Sequence, residues 1–409
     1  MTARTTDWQP PSMTVQLQPA DRVFSTRLAT ALTTPGPFLF AALFLLDSFA
    51  RSLLAAVISL EALRYFGSSR DVSLMAAVAG CFGVLANFAL PAVIDRLRPR
   101  RTYALAIALL TAASLLMLMG TVYSFSVGWF LRSAAAASLL TSLNIYIASF
   151  IKKKDLAISE PIRTFISASA WVVGPALGVR LYAEWPVAVF LSSAVFGAAL
   201  LVYFLWLRLE APSGLVHLHP VANIRRYFAQ PRLRLAWILN FGRETWWVTL
   251  FTYGPIYIVK AGLPEARAGD LLSACTAMLF LTLGLGWIGR RFGLRRFVCG
   301  GFIVAGLGTL LAAWFSDRPI LAAAALIGSA LGAVSLDSVV VVTFLRAVRS
   351  WERPQMTMVF CIYRDAAGLL PPAFYALLLT FFPLPSVFIA TSLFCLVCAG
   401  LSLFLPKGM

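Results

Sequence analysis

Eight ionisable side chains interrupt stretches that are otherwise almost wholly apolar: Asp47 and Arg51, Arg132, Arg243 and Glu244, Asp337, and Arg364 and Asp365. An ionised group at the centre of a lipid-facing helix costs about 2.5–3.5 kcal/mol on insertion scales, so a set of this size cannot lie on a hydrocarbon surface. These residues must face a protein interior or a water-filled cavity, where four bases against four acids allow near-complete pairing. Such a set can exchange a proton or a charged solute between alternative partners, because burial and a nearby cation move a carboxyl group's proton affinity in opposite directions. The plainer role open to each pair is to lock two helices together.

Spacing refines these roles. Asp47 and Arg51 are four residues apart, so they share a helix face and pair along it. Adjacent helical residues point about 100° apart, so at most one of Arg243 and Glu244 points at a cavity centre, and the same holds for Arg364 and Asp365. Asp337 and the Arg364-Asp365 pair lie at similar distances from the ends of their apolar runs and are expected to form an inner-gate network. Trp246 and Trp247 follow Glu244, and aromatic rings beside a buried acid can stack on a planar or cationic solute. With Asn144 and Asn240 they are the substrate-cavity candidates. Pro371-Pro372 should break its helix and free carbonyl groups, a pattern tolerated at membrane depth only beside protein or water. Asp47 and Glu244, then Asp337, are the expected proton carriers.

The elements that must position these residues follow from composition. The chain has 409 residues, 60% hydrophobic and 12% charged, with a mean hydropathy of +0.83. A soluble domain carries about 25% charged residues, which excludes a soluble globular, disordered or nucleic-acid-binding chain. Lysine and arginine outnumber the acids by 34 to 17, but the excess is dispersed in clusters between runs long enough to cross a bilayer. Those runs lie at about 37–60, 72–94, 102–122, 125–151, 162–183, 186–207, 235–259, 268–289, 295–315, 319–345, 357–380 and 384–405. The expectation is an all-α membrane protein with twelve transmembrane helices in two pseudo-symmetric six-helix bundles, 37–207 and 235–405.

Orientation follows from the basic residues, which concentrate on alternate connections including Lys152 to Lys154 and Arg225-Arg226, and leave only Arg64, Arg70, Arg180, Lys260, Arg267 and Arg318 on the other side. This places a 1–36 tail, the 208–234 central loop and a 406–409 terminus in the cytoplasm. The tail has no signal-peptide pattern, so the first span is expected to be retained. The halves are equal in length. Arg100-Arg101 matches Arg295-Arg296, Ser142-Leu143-Asn144 matches Ser335-Leu336-Asp337, and Pro175 matches Pro372 at nearly constant offset, which is the signature of an internal repeat.

Several motifs carry nothing. Cys395-x-x-Cys398 lies in an apolar run with no basic neighbour, and all six cysteines lie in such runs, where a thiol behaves as a small hydrophobe. His217 and His219 cannot complete a tetrahedral metal site alone. No phosphate-binding Gly-x-x-x-x-Gly-Lys sequence occurs, which argues against ATP-driven transport. No cofactor and no metal are expected.

The stretch after the second span, Pro91-Ala-Val-Ile-Asp95-Arg96-Leu-Arg98-Pro99-Arg100-Arg101, resembles the signature loop of the major facilitator superfamily, with Pro91 and Arg98 in place of its two glycines. A second copy after the eighth span, Gly286 to Arg296, keeps both glycines and has Arg290 in place of the acid. Arg132 in Trp129-Phe-Leu-Arg132 resembles the family's buried arginine. Ala170-Trp-Val-Val-Gly174-Pro175-Ala-Leu-Gly178 resembles the Gly-Pro-x-x-Gly motif of its antiporter branch, although Ala170 and Val179 stand where that motif has glycine. The resemblance implies alternating access between the halves, Asp95 and Arg96 closing the cytoplasmic side, and helix bending at Gly174-Pro175. It also places Arg132 beside the first span, where it can compete with Arg51 for Asp47. The implied function is secondary transport of a small-molecule solute across the inner or plasma membrane by a monomer that is not an enzyme, with protons as coupling ion, lipid as surroundings and efflux as direction. Uptake of a polar or anionic solute is the alternative, favoured by the four buried arginines, and a non-transporting receptor or assembly factor on the same fold is the alternative of another class.

Overall fold

The computed structural model describes residues 36–150, 153–209, 220–349 and 352–406, and all regular structure among them is helical. The tail up to residue 35, Lys152, the His217 and His219 stretch and residues 407–409 lie outside the described residues, as do the side chains of Lys153, Lys154 and Arg290. In chain order the helices are α1 (Pro37–Ser52), α2 (Val57–Phe66), α3 (Ser69–Leu118), α4 (Val122–Phe150), α5 (Lys153–Glu184), α6 (Pro186–Leu207) and the short α7 (Pro220–Phe228). They continue as α8 (Pro231–Lys260), α9 (Ala266–Ala277), α10 (Thr282–Phe292), α11 (Leu294–Trp314), α12 (Pro319–Ala347), α13 (Arg353–Phe381) and α14 (Pro385–Ser402). Pro37, Pro186, Pro231, Pro319 and Pro385 open their helices, at the position where the missing N–H has no intrahelical partner to lose.

Nine helical stretches among the described residues are long and apolar enough to cross a bilayer. One of them, α3, has 50 residues; at 1.5 Å per residue it would be more than twice as long as a hydrocarbon core is thick. It folds back instead at Arg98, whose φ of 67° and ψ of 154° leave the helical region just before Pro99. The second and third expected spans are thus one chain segment with a sharp reversal. Helices α8 and α13, which carry the Arg243-Glu244 and Arg364-Asp365 pairs, have 30 and 29 residues and supply the remaining crossings. The architecture is twelve transmembrane helices in two six-helix halves. The reversal also displays the repeat, since Gly293 at the matching place in the second half has φ 87° and ψ 137°.

Two departures from the expected spans matter for the site. The first span reaches Phe66 and is broken at residues 53–56 between α1 and α2. The eighth passes through a 3-10 turn, Met278–Leu281, between α9 and α10.

One core, around Tyr103, Tyr146 and Phe204, lies wholly within the first half. The largest core runs from Leu54, Phe125 and Tyr182 of the first half into Trp246, Tyr253 and Phe388 of the second, so packed side chains join the halves. Polar contacts reinforce this seam on the face opposite the chain termini. Arg64 donates to both carboxylate oxygens of Glu265 at 2.8 and 3.0 Å, and Arg180 donates to Asp270 at 2.8 Å. Ser73 and Tyr253 share a hydroxyl contact of 2.7 Å.

Candidate functional site

A helix that stops inside a bilayer leaves its last carbonyl groups without intrahelical donors. The break after α1 is therefore the place where outside donors are needed, and two other helices supply them while a third packs against the break. Arg132 on α4 donates to the Arg51 carbonyl at 2.7 Å and to the Ala50 carbonyl at 3.4 Å. Ser193 on α6 donates to the same Ala50 carbonyl at 2.6 Å and is bonded to Ser114 at 2.9 Å. On α5, a Cβ added at Gly178 would lie 1.9 Å from the Leu53 carbonyl oxygen, and one at Gly174 would lie 2.0 Å from Ser52 Oγ. The Gly-Pro-x-x-Gly stretch thus lets α5 touch the broken backbone directly. The same stretch is also approached closely by α9, where a Cβ on Gly269 would meet the Pro175 carbonyl at 2.7 Å.

In this conformation Arg132 is bonded not to the Asp47 carboxylate but to the end of α1, where its N–H groups meet carbonyls that bear a helix's partial negative charge. Among the described residues Arg51 alone pairs with Asp47, at 2.6 Å, and it lies 5.8 Å from the centre of the Trp171 ring. The Oδ1 atom of Asp47 has no hydrogen-bond partner among the described residues.

A second network fills the other half. Arg243, only 6% exposed, donates to Asp337, to Glu244 at 2.8 Å and to the Tyr363 hydroxyl at 2.9 Å. Trp247 donates its indole N–H to the remaining Asp337 oxygen at 2.9 Å. Glu244 in turn meets Arg364 at 3.5 Å. Asp337, Arg243, Glu244 and Arg364 thus form one chain of alternating charge rather than a separate coupling pair and gate.

Between the halves lies a cavity of about 170 Å³, lined from the first half by Arg51, Asn87, Ser133, Thr141 and Asn144 among others, and from the second by Cys361, Arg364, Asp365 and Gly368. Asp365 accepts a hydrogen bond from the Asn87 amide across the seam, and Thr141 donates to the Asn87 oxygen at 2.9 Å. Arg364 and Asp365 both line the cavity, on the helix face they share with Cys361 and Gly368, whose i, i+3, i+4, i+7 spacing spans their 100° separation. The seam here is tight: a Cβ on Gly80 of α3 would sit 2.3 Å from the Gly368 carbonyl oxygen.

That contact bears on Pro371-Pro372. The pair does not break α13, which runs unbroken from Arg353 to Phe381 with both prolines inside. A proline removes the N–H four residues after a carbonyl, so Pro372 frees Gly368, whose oxygen instead lies against Gly80, where a Cα–H can approach it.

Other expected residues fall outside the cavity. Asn240 is buried and donates to the Ala236 and Val340 carbonyls, holding α8 to α12. Trp246 bonds Thr309 at 2.9 Å inside the core of the second half. Trp247 serves Asp337. Asp95 and Arg96 are exposed near the reversal in α3 and make no ion pair among the described residues. Asn87, Thr141, Trp171 and Tyr363 belong to these networks although their residue types do not mark them in the sequence. A neutral amide or hydroxyl hardly disturbs hydropathy, and the only available signal was Asn87 standing alone in an apolar run.

The sequence profile of the Major Facilitator Superfamily matches residues 40–285. Comparison with curated proteins found no match. Among solved structures, the fold is similar to a POT family transporter in complex with 5-aminolevulinic acid, with a TM-score of 0.71 and 12% identity over 88% of this chain and 94% of that one. It is also similar to a POT family transporter in complex with a thioalcohol-conjugated peptide, with a TM-score of 0.72 and 12% identity over the same shares, 88% and 94%.

Proposed function

The chain belongs to the major facilitator superfamily and is therefore a multi-pass membrane protein and secondary transporter, and from that premise we propose that it carries a small polar solute bearing a carboxylate, coupled to protons, through the cavity between its halves. The observation that carries this reading is the cavity lining, in which Arg51 comes from one half and Arg364 from the other, with Asn87, Thr141 and Asn144 as neutral partners. A guanidinium presents paired donors that match a carboxylate, and an apolar solute would use neither of the two that reach this cavity. A solute held by both halves at once links its own binding to their relative position, which is what alternating access requires.

Coupling is assigned to Asp47 and Glu244, with Asp337 third. Asp47 and Glu244 are each bonded to an arginine, at 2.6 and 2.8 Å, so taking up a proton goes together with releasing Arg51 or Arg243. Asp95 and Arg96 are assigned to a cytoplasmic gate, with both termini on the same side of the plasma membrane. Efflux is favoured by the likeness of the Gly174 to Gly178 stretch to the antiporter motif, and that stretch packs against α9 as well as on the break in the first span.

The test uses purified protein in proteoliposomes and 5-aminolevulinic acid, the ligand of one structure of like fold, with a panel of small carboxylates, amines and neutral analogues. Hydrogen bonds to a charged partner contribute about 1.5–3 kcal/mol, so Arg51→Gln and Arg364→Gln should each weaken carboxylate binding by roughly ten- to a hundredfold. Solute-driven proton movement in the same direction as the solute supports uptake, and opposite movement supports efflux. Transport of neutral or cationic compounds alone, unaffected by either substitution, would overturn the carboxylate reading.

A further inference from the structure

Resting on that proton-coupled reading, we propose that Asp365 and Asn87 form a proton-operated latch across the cavity. The pair joins α13 of the second half to α3 of the first at the cavity wall, and both helices also meet closely at Gly80 and Gly368. Asp365 differs from the other acids of the site. Asp47, Glu244 and Asp337 are each in an ion pair with arginine, whereas among the described residues Asp365 is in none and its side-chain partner is a neutral amide from the opposite half. Protonating it therefore requires no salt bridge to be taken apart.

The chemistry of the amide sets the direction of the effect. Thr141 donates to the Asn87 oxygen, which leaves the amide N–H₂ facing the carboxylate. An ionised carboxylate accepts this bond with charge assistance, and such bonds are roughly twice as strong as neutral ones. When a proton binds, Asp365 becomes a neutral acceptor, and its bond from the Asn87 amide loses the charge assistance. The latch weakens as the proton arrives. The charged groups around it act on the same step: Arg364 on its own helix, Glu244 on α8 through Arg364 at 3.5 Å, and Arg51 on α1. Helices α3 and α4 bring Gly83, Asn87, Ser133, Thr141 and Asn144 to the lining but no ionisable group. Cys361 is the remaining titratable neighbour on α13. With Asp365 neutral, Arg51 and Arg364 no longer share the cavity with a free carboxylate, so a proton and an anionic solute favour each other's binding while the halves are released to move.

The test needs no substrate. Trp206→Cys and Phe404→Cys place spin labels at exposed positions on the terminal face of the two halves, in full-length protein whose native cysteines are replaced by serine, reconstituted in nanodiscs. The ratio of short to long separations is read across pH. For a single latch proton the ratio should change by at most tenfold per pH unit, with the conformation described above favoured at high pH. Asp365→Asn should hold the ratio at its low-pH value throughout, and Asn87→Ala should flatten the pH response while the carboxylate remains. A wild-type ratio that does not respond to pH overturns the latch, as does an unchanged pH response in Asp365→Asn or Asn87→Ala. Because the readout is separation rather than flux, the latch can fail while solute-driven proton movement stands, and the reverse outcome is equally visible.

Discussion

The sharpest packing test is Gly178→Ala. The added Cβ would stand 1.9 Å from the Leu53 carbonyl oxygen and 2.8 Å from its carbon, where contacts below 3.0 Å are essentially never seen. Relief therefore needs a displacement on the order of 1 Å. No side chain can swing aside, because both partners are backbone and the Leu53 carbonyl belongs to the break between α1 and α2. Overpacking of this kind costs about 1–3 kcal/mol, offset in part by the ~1 kcal/mol that alanine gains over glycine in a helix. A net loss of up to about 2 kcal/mol is expected, together with a displaced α1 end that carries Arg51 and Asp47 with it. Gly328→Ala is the matched control: it lies in α12, nothing is within 4 Å of its added Cβ, and only the propensity gain remains. Thermal unfolding in detergent and solute binding in nanodiscs check both. Gly178→Ala should unfold a few degrees lower and bind more weakly, and Gly328→Ala should unfold no lower than the parent. Equal stability and binding for the two variants would refute the claim that α5 seats the break by backbone contact.

Arg98→Gly should stabilise the protein by roughly 1 kcal/mol, because an arginine at φ 67° and ψ 154° holds a conformation that costs about 1–3 kcal/mol and glycine gives part of this back through its freer unfolded state; a lower unfolding temperature would contradict it. Arg243→Gln should be among the most damaging single changes, at about 3–5 kcal/mol, since it leaves Glu244 and Asp337 facing each other without their shared cation; adding Asp337→Asn should recover part of the loss in the same unfolding assay. Arg64→Gln with Arg180→Gln should barely alter stability, as exposed ion pairs contribute about 0–1 kcal/mol each, yet it should shift the halves towards opening opposite the terminal face, read as increased labelling of a cysteine placed at Ser73.

What the sequence determined by itself is what depends on nearest neighbours along the chain. The spans could be marked because membrane crossing requires about 20 apolar residues in a row, and the Asp47–Arg51 pair because four residues make one face of a helix. The repeat was visible in matched arginines, and Arg98 and Gly293 now show it as a shared backbone conformation. Tertiary structure decided everything that depends on which helix lies opposite. Arg132 meets carbonyls rather than Asp47 because the first span breaks where α4, α5 and α6 converge, a break that no local propensity marks. Pro371-Pro372 stays within one helix because Gly80 leaves room for the freed carbonyl. Trp246 and Asn240, conspicuous in an apolar run, turned inward to Thr309 and to α12, whereas Asn87, which hydropathy passes over, became the bridge to Asp365. A polar side chain in a membrane goes where an unsatisfied partner waits, and the position of that partner is set by how the helices pack.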